Sequence, residues 1–291
     1  MKFKLSHLKH IYNHPIAKRM RLKSFFRYAL FHTIYRDGDE VKIPFLDGQI
    51  IVKKGQGGQT NYFTYLVDFE EMLFLVHYLK QDDVFVDVGA NAGSYSILAA
   101  VTNCLKVHAF EPNNIVYQIL NKNILLNKLD GKIIPHHCAL GRQNGKVKII
   151  EKGALSYVSI ENGAGLDEVP LYKLDDIIDT ANLMKIDVEG YEENVLKGSK
   201  KILANSDLNA IIIEMAGFNR FGSSDEKVHG LLTNFGFRSF NYNPKTRVLK
   251  NNEEYSKHNR TSRNVIYIRN VNMASERVEE SIGLMINNKS Y

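Results

Sequence analysis

From residue 84 onward, short apolar runs alternate with longer stretches whose apolar residues recur at helical spacing. "VFVDVG", "KVHAFEP", "KIIPHHCAL", "LMKIDV" and "NAIIIEM" read as buried strands. Between them, "GSYSILAAVT", "NNIVYQILNKNILLN", "ENVLKGSKKILA" and "DEKVHGLLTNFG" read as helices. Such alternation predicts a mostly parallel, doubly wound α/β sheet covered on both faces. The runs at 236–241 and 264–269 are expected to supply an antiparallel C-terminal edge, and residues 145–172 a set of short strands beside the sheet. Upstream, "VKIPFLDGQIIVKK" predicts a β-hairpin turning at Asp47-Gly48. "FEEMLFLVHYLK" predicts a helix with Met72, Leu75, Val76 and Leu79 on its buried face. The expected organisation is a leader with hairpin over 1–59, a main domain over 60–270 and a loose polar tail over 271–291.

Charge changes this picture at one end. All nine Lys/Arg before Asp37 stand without a single acid, although the whole 291-residue chain is only +6. With the aromatics of "SFFRYALFHTIY", the leader reads as an amphipathic helical segment able to meet anionic lipid or a phosphorylated acceptor. It has no apolar core of signal-peptide type, and no stretch approaches the roughly 20 apolar residues of a membrane helix. Two cysteines, Cys104 and Cys138, are too few for a disulfide framework and read as free thiols of a reducing cytoplasm. The expected location is cytoplasmic, peripheral to the inner membrane face, with no specific nucleic-acid partner.

The first strand–helix unit carries candidate chemistry. Asp87 ends a strand, and Gly89 and Gly93 bracket a tight turn that lets a ligand approach backbone at a helix N-terminus. Glu111 ends the next strand, at the station where an acid commonly holds the hydroxyls of a ribose. The turn reads G-A-N-A-G rather than G-x-G-x-x-G, which argues against a nicotinamide-dependent oxidoreductase. An acid just before the turn suits a ligand that carries an amino group, such as S-adenosylmethionine.

The ordered set "FVDVGANAGSYS", "AFEPNN", "ALGRQNG", "YKLDDII", "MKIDVEGYEENVLKG" and "AIIIEM", within about Thr60–Tyr242, resembles the FkbM-type family of S-adenosylmethionine-dependent methyltransferases. The resemblance implies a Rossmann-like class I methyltransferase fold and methyl transfer to oxygen, often on sugars. By position it implies cofactor contacts at Asp87, Gly89, Asn91, Gly93 and Glu111, with Ala139 where the chain passes the adenine. Asn61, in "QTNYF", is a candidate to close over the cofactor.

In such a fold Asp187 falls at the carboxyl end of the fourth strand, where ligands bind. Methyl transfer to an alcohol benefits from a base, and Asp187 is the candidate, with Glu214 as partner or substrate clamp and Glu189 as a further contact. Glu192 and Glu193 fall in the next helix's first turn, where carboxylates complement the dipole. A less favoured alternative makes Asp187, Glu189 and Glu214 oxygen ligands of Mg²⁺. His136 and His137 read as packing residues, and Arg220 as a candidate for an anionic group in a substrate loop. The expected function is O-methylation of a hydroxyl on a glycan, nucleotide sugar or lipid-linked saccharide. A non-catalytic adenosyl-binding module docking through its basic arm would not require the three acids.

Overall fold

The computed structural model of the protein describes residues 5–55, 58–102, 104–152, 155–159, 167–215, 217, 222–252, 263–286 and 289–291. Its centre is an eight-stranded sheet: β1 Val84–Val88, β2 Lys106–Phe110, β3 Ile133–His136, β4 Leu183–Ile186, β5 Ala210–Glu214, β6 Arg238–Asn243, β7 Val248–Asn251 and β8 Asn264–Ile268. The spatial order is β7-β6-β8-β5-β4-β1-β2-β3. β1 to β5 pair in parallel, whereas β8 is antiparallel to both of its neighbours, β5 and β6. The antiparallel part therefore lies at the C-terminal side, as the sequence predicts. The run at 264–268, however, is threaded between β5 and β6, and the edge itself is β7.

Period-two alternation places the core on two faces. Phe85, Val107, Leu183, Ile212 and Ile266 point to one side. Val86, Met184, Ile186, Ile211, Ile213 and Tyr267 point to the other. The first face is covered by Phe69–Tyr78, Ser94–Thr102 and Asn114–Leu126, and the second by Glu192–Lys197, Lys200–Ala204 and Asp225–Asn234. Ala139–Leu140, Gly145–Lys152, Leu155–Ser159 and Asp167–Tyr172 form a separate four-stranded sheet.

Three differences from the sequence reading have packing causes. The helix Phe69–Tyr78 is buried on nearly every face, because Val271–Glu279 packs on it. That second helix lies where the polar pattern predicts a loose tail. Ala274 and Val278 are its buried anchors, and the C-terminal Tyr291 packs edge-on against Phe69. The hairpin turns at Leu46-Asp47, since Phe45 pairs with Gly48. Leu46 takes the left-handed conformation (φ 52°), and a Cβ at Gly48 would lie 2.4 Å from Asn127 Oδ1. Close approach of the Asn127 side chain, and not turn geometry, favours glycine there.

The leader folds as Leu5–Asn13, a short 3₁₀ turn at Ala17–Met20, and Arg21–Ile34. Ile11, Ile16, Ala17, Tyr28 and Phe31 are buried in the same cluster as β1 and the hairpin.

Candidate active site at the carboxyl ends of the parallel strands

The sheet register assembles the site. Ile186 pairs with Val88 on one side and Ile213 on the other, so Asp187 emerges beside Gly89 and Glu214. Gly89 has φ 80°, and a Cβ there would fall 2.0 Å from the Asp187 carbonyl oxygen. Only glycine lets the turn cross β4 at that distance. Gly93 (φ 89°) instead makes room for Leu120, where a Cβ would meet Cδ1 at 2.7 Å.

Glu111 is buried, and its two oxygens accept the Asn91 and Asn113 amides at 2.9 and 2.8 Å. Burial raises its pKa to about 7, against the opposing effect of those amides. The same acid therefore braces the turn, where Asn91 adopts φ 51°. Asp87 is fully buried and accepts the Ser96 hydroxyl at 2.6 Å; its pKa is raised by burial, opposed by the Lys185 ammonium. Ala139 is buried on a short strand paired with Leu171.

Asn61 stands at the start of the short 61–64 helix, beside the helix that follows the glycine turn. It is buried, its Nδ2 donates to Ser94 Oγ at 3.0 Å and its Oδ1 accepts the Val67 amide at 2.9 Å. The amide thereby fixes the 61–67 segment to the helix after the glycine turn. Arg220 lies outside the described residues. His136 stacks on Phe110 and His137 on Tyr117, with ring centroids 4.3 and 4.6 Å apart, in keeping with packing.

The acids after β4 divide their work. One oxygen from each of Asp187, Glu189 and Glu214 lies within 4.8 Å of the others. Glu189 and Gly190 turn the chain through positive φ (54° and 102°). Glu192 Oε1 accepts the Val188 and Gly190 amides, both at 3.1 Å, and so holds that turn in shape. Glu193 pairs with Lys197 one helical turn on, at 2.5 Å. Glu214 ends β5 only 8 % exposed, and burial together with the Asp187, Glu189 and Glu192 carboxylates raises its pKa to about 9.

The sequence reading missed Lys185. Its side chain is buried, and Nζ donates to Asp187 Oδ2 at 3.0 Å from 4.8 Å above the Tyr95 ring. Burial opposes its charge, but the Asp187, Asp87 and Asp68 carboxylates outweigh burial and hold its pKa above the ordinary lysine value. The Tyr95 hydroxyl in turn donates to Asp68 Oδ2 at 3.0 Å. One signal was available: a lysine inside the otherwise apolar strand "LMKI", where an unpaired charge would be untenable.

Beside this cluster opens a cavity of about 570 Å³. Asp187, Glu214, Arg263 and Asn264 form its floor, residues 67–71 one wall, and His10, Asn13, His14 and Pro15 of the leader another. Arg263 Nη1 stands 3.8 Å from Glu214 Oε1.

The chain is 28% identical over 150 residues to the hexuronic acid methyltransferase AglP of Haloferax volcanii, covering 48% of this chain and 59% of that protein. It is 25% identical over 175 residues to the methyltransferase sdnD of Sordaria araneosa, covering 47% of this chain and 68% of that one. A crystal structure of methyltransferase FkbM from Methylobacillus flagellatus aligns at 18% identity with a TM-score of 0.43, over 72% of this chain and 52% of that one. The family description "Methyltransferase FkbM domain" matches residues 87–239, more than half of the chain. That match begins at the buried acid before the glycine turn and takes in Glu111, Asp187 and Glu214; the chain belongs to the FkbM methyltransferase family.

Proposed function

We propose that the protein is an S-adenosylmethionine-dependent O-methyltransferase that acts on a hydroxyl of a glycan, nucleotide sugar or lipid-linked saccharide. The observation that carries this reading is the side-by-side emergence of the glycine turn, Asp187 and Glu214 from three adjacent strands. The cofactor's adenosyl end would lie along Gly89–Gly93 with its ribose hydroxyls donating to Glu111. Fully buried Asp87, with Oδ1 lacking a hydrogen-bond partner among the described residues, faces the donor's cationic end. The hexuronic acid named for AglP supports a sugar acceptor.

In this reading Asp187 accepts the acceptor hydroxyl's proton as oxygen attacks the methyl carbon in line with the departing sulfur. Lys185 holds that carboxylate in place, and Glu214, protonated at neutral pH, donates a hydrogen bond to the sugar. Two neighbouring carboxylates with separated pKa values suit such a division of labour. Asp187, Glu189 and Glu214 would also be the ligands of a Mg²⁺ ion. The base reading is favoured because the Lys185 ammonium already supplies positive charge at Asp187.

Methyl transfer from labelled S-adenosylmethionine into a mixed cell-envelope glycan extract tests the function, and calorimetry against NAD tests the cofactor. Incorporation that survives chelator, with NAD binding far weaker than S-adenosylhomocysteine, is expected. Incorporation that collapses with chelator and returns with Mg²⁺ would move Asp187 from base to ligand.

Peripheral attachment to an anionic membrane at the cytoplasmic side belongs to the same proposal. Leu22 and Phe26, one turn apart on the helix Arg21–Ile34, are 89% and 66% exposed among the leader's cations. Double replacement of both by Asp should abolish binding to phosphatidylserine vesicles and leave the buried face intact. Deleting the leader would be a poorer test, since Tyr28 and Phe31 belong to the core.

A further inference from the structure

We infer that the cavity between the leader and the strand ends is the acceptor subsite, and that it selects an uncharged or amino-bearing sugar ring over a uronate. This deepens the proposed function and rests on it. The sheet order separates the two halves of the cleft. The glycine turn follows β1 and Glu111 follows β2, whereas the cavity begins at Asp187 and extends over β5 to Glu214 and Arg263. None of Gly89, Asn91, Gly93 and Glu111 lines it. The cavity adjoins the cofactor stations at Asp187 alone, where an acceptor hydroxyl must meet the methyl group. At about 570 Å³ it has the size of a small-molecule site.

Its lining favours hydroxyl and amine donors. Among the described residues that line it, Asp68, Glu70, Glu71, Asp187 and Glu214 stand against one cation, Arg263. Glu214 is more than nine-tenths buried, and its Oε2 has no hydrogen-bond partner among the described residues. A sugar hydroxyl in the cavity would satisfy that oxygen by donating to it. His14 is held neutral: Nε2 donates to the Leu66 carbonyl at 2.6 Å, and burial lowers its pKa to about 4. It adds no positive charge for an anion. His10 and Asn13, exposed at the rim of the leader helix, complete the wall with neutral polar groups. A uronate would bring like charge against the acids, a juxtaposition that strongly suppresses a wrong partner. This chain would thus differ in acceptor from the hexuronic acid methyltransferase it is similar to.

The test uses the full chain with labelled S-adenosylmethionine and three matched probes: p-nitrophenyl glucoside, glucosaminide and glucuronide. The glucoside and glucosaminide should exceed the glucuronide in kcat/KM by about tenfold or more. Asn13→Ala and His10→Ala should each raise the acceptor KM several-fold while S-adenosylhomocysteine affinity, read by calorimetry, changes less than about twofold. Glucuronide turnover equal to or above the others would overturn the charge selection. Unchanged KM in both rim variants would overturn the location. If no probe is methylated while label enters the mixed-glycan extract, this subsite inference fails and the proposed function stands. If S-adenosylhomocysteine binds and no glycan of any kind takes up label, both fall.

Discussion

The two halves of the cleft are built by opposite means. On the β1–β2 side, backbone does most of the work: a glycine turn crosses β4 at contact distance, and both oxygens of Glu111 are engaged by main-chain amides. On the β4–β5 side, Asp187, Glu189 and Glu214 converge as side chains, stabilised by a buried lysine and closed by a leader more than 170 residues away in sequence. The contrast teaches that one side of the cleft is set by backbone geometry and the other by side chains drawn from distant segments. A backbone cradle depends on few residue identities, whereas a side-chain chamber depends on many.

The largest expected effect separates the halves. Asp187→Asn should lower kcat by about 10²–10⁴-fold with S-adenosylhomocysteine affinity within about twofold, because shape and hydrogen bonding survive and basicity does not. Normal turnover in this variant would remove Asp187 from the chemistry. Lys185→Met should join the halves in one failure. Without its ammonium, Asp187, Asp87 and Asp68 lose their shared counter-charge, and chemical denaturation should show a loss of about 3–5 kcal/mol. A change below about 1 kcal/mol would mean that the acids are satisfied in another way.

A pH series isolates the donor half. Glu111 titrates near 7 in the folded chain because burial disfavours its charge. Ribose hydroxyls donate to the ionised form, so the cofactor should lower that pKa and release a proton. Affinity for S-adenosylhomocysteine should therefore fall by up to about tenfold per pH unit below 7 and level off above it. Glu111→Gln should bind more weakly and show a flat profile in the same calorimetric titration. For stability alone the sign is opposite: a raised carboxyl pKa favours folding below the unfolded value near 4.3 and loses that contribution as pH rises through 7. The smallest effect is Glu193→Gln, which should change stability by at most about 1 kcal/mol with near-normal turnover, since Glu193 is spent on the helix start and Lys197.

The sequence by itself determined the sheet, the position of the glycine turn and the placement of the acids after β4. These are local facts: strand and helix periods, glycines that a crossing turn demands, and carboxylates placed by a strand end or a helix start within a few residues. Glu193 as a helix-start residue follows from such spacing, whereas the bracing of the 188–190 turn by Glu192 emerges only in the structure. Only the tertiary structure decided what depends on long-range packing. That the Asn61 amide bridges Ser94 and the Val67 backbone is likewise visible only in the structure. The polar pattern of 271–279 conceals two buried anchors that suffice to dock a helix, and Lys185 gains meaning only when three carboxylates from separate segments surround it. The leader's cations signalled a surface, but its second face, walling the cavity with His10, Asn13 and His14, exists only once the chain returns on itself. Periodicity encodes which face of an element is buried; it does not encode against what.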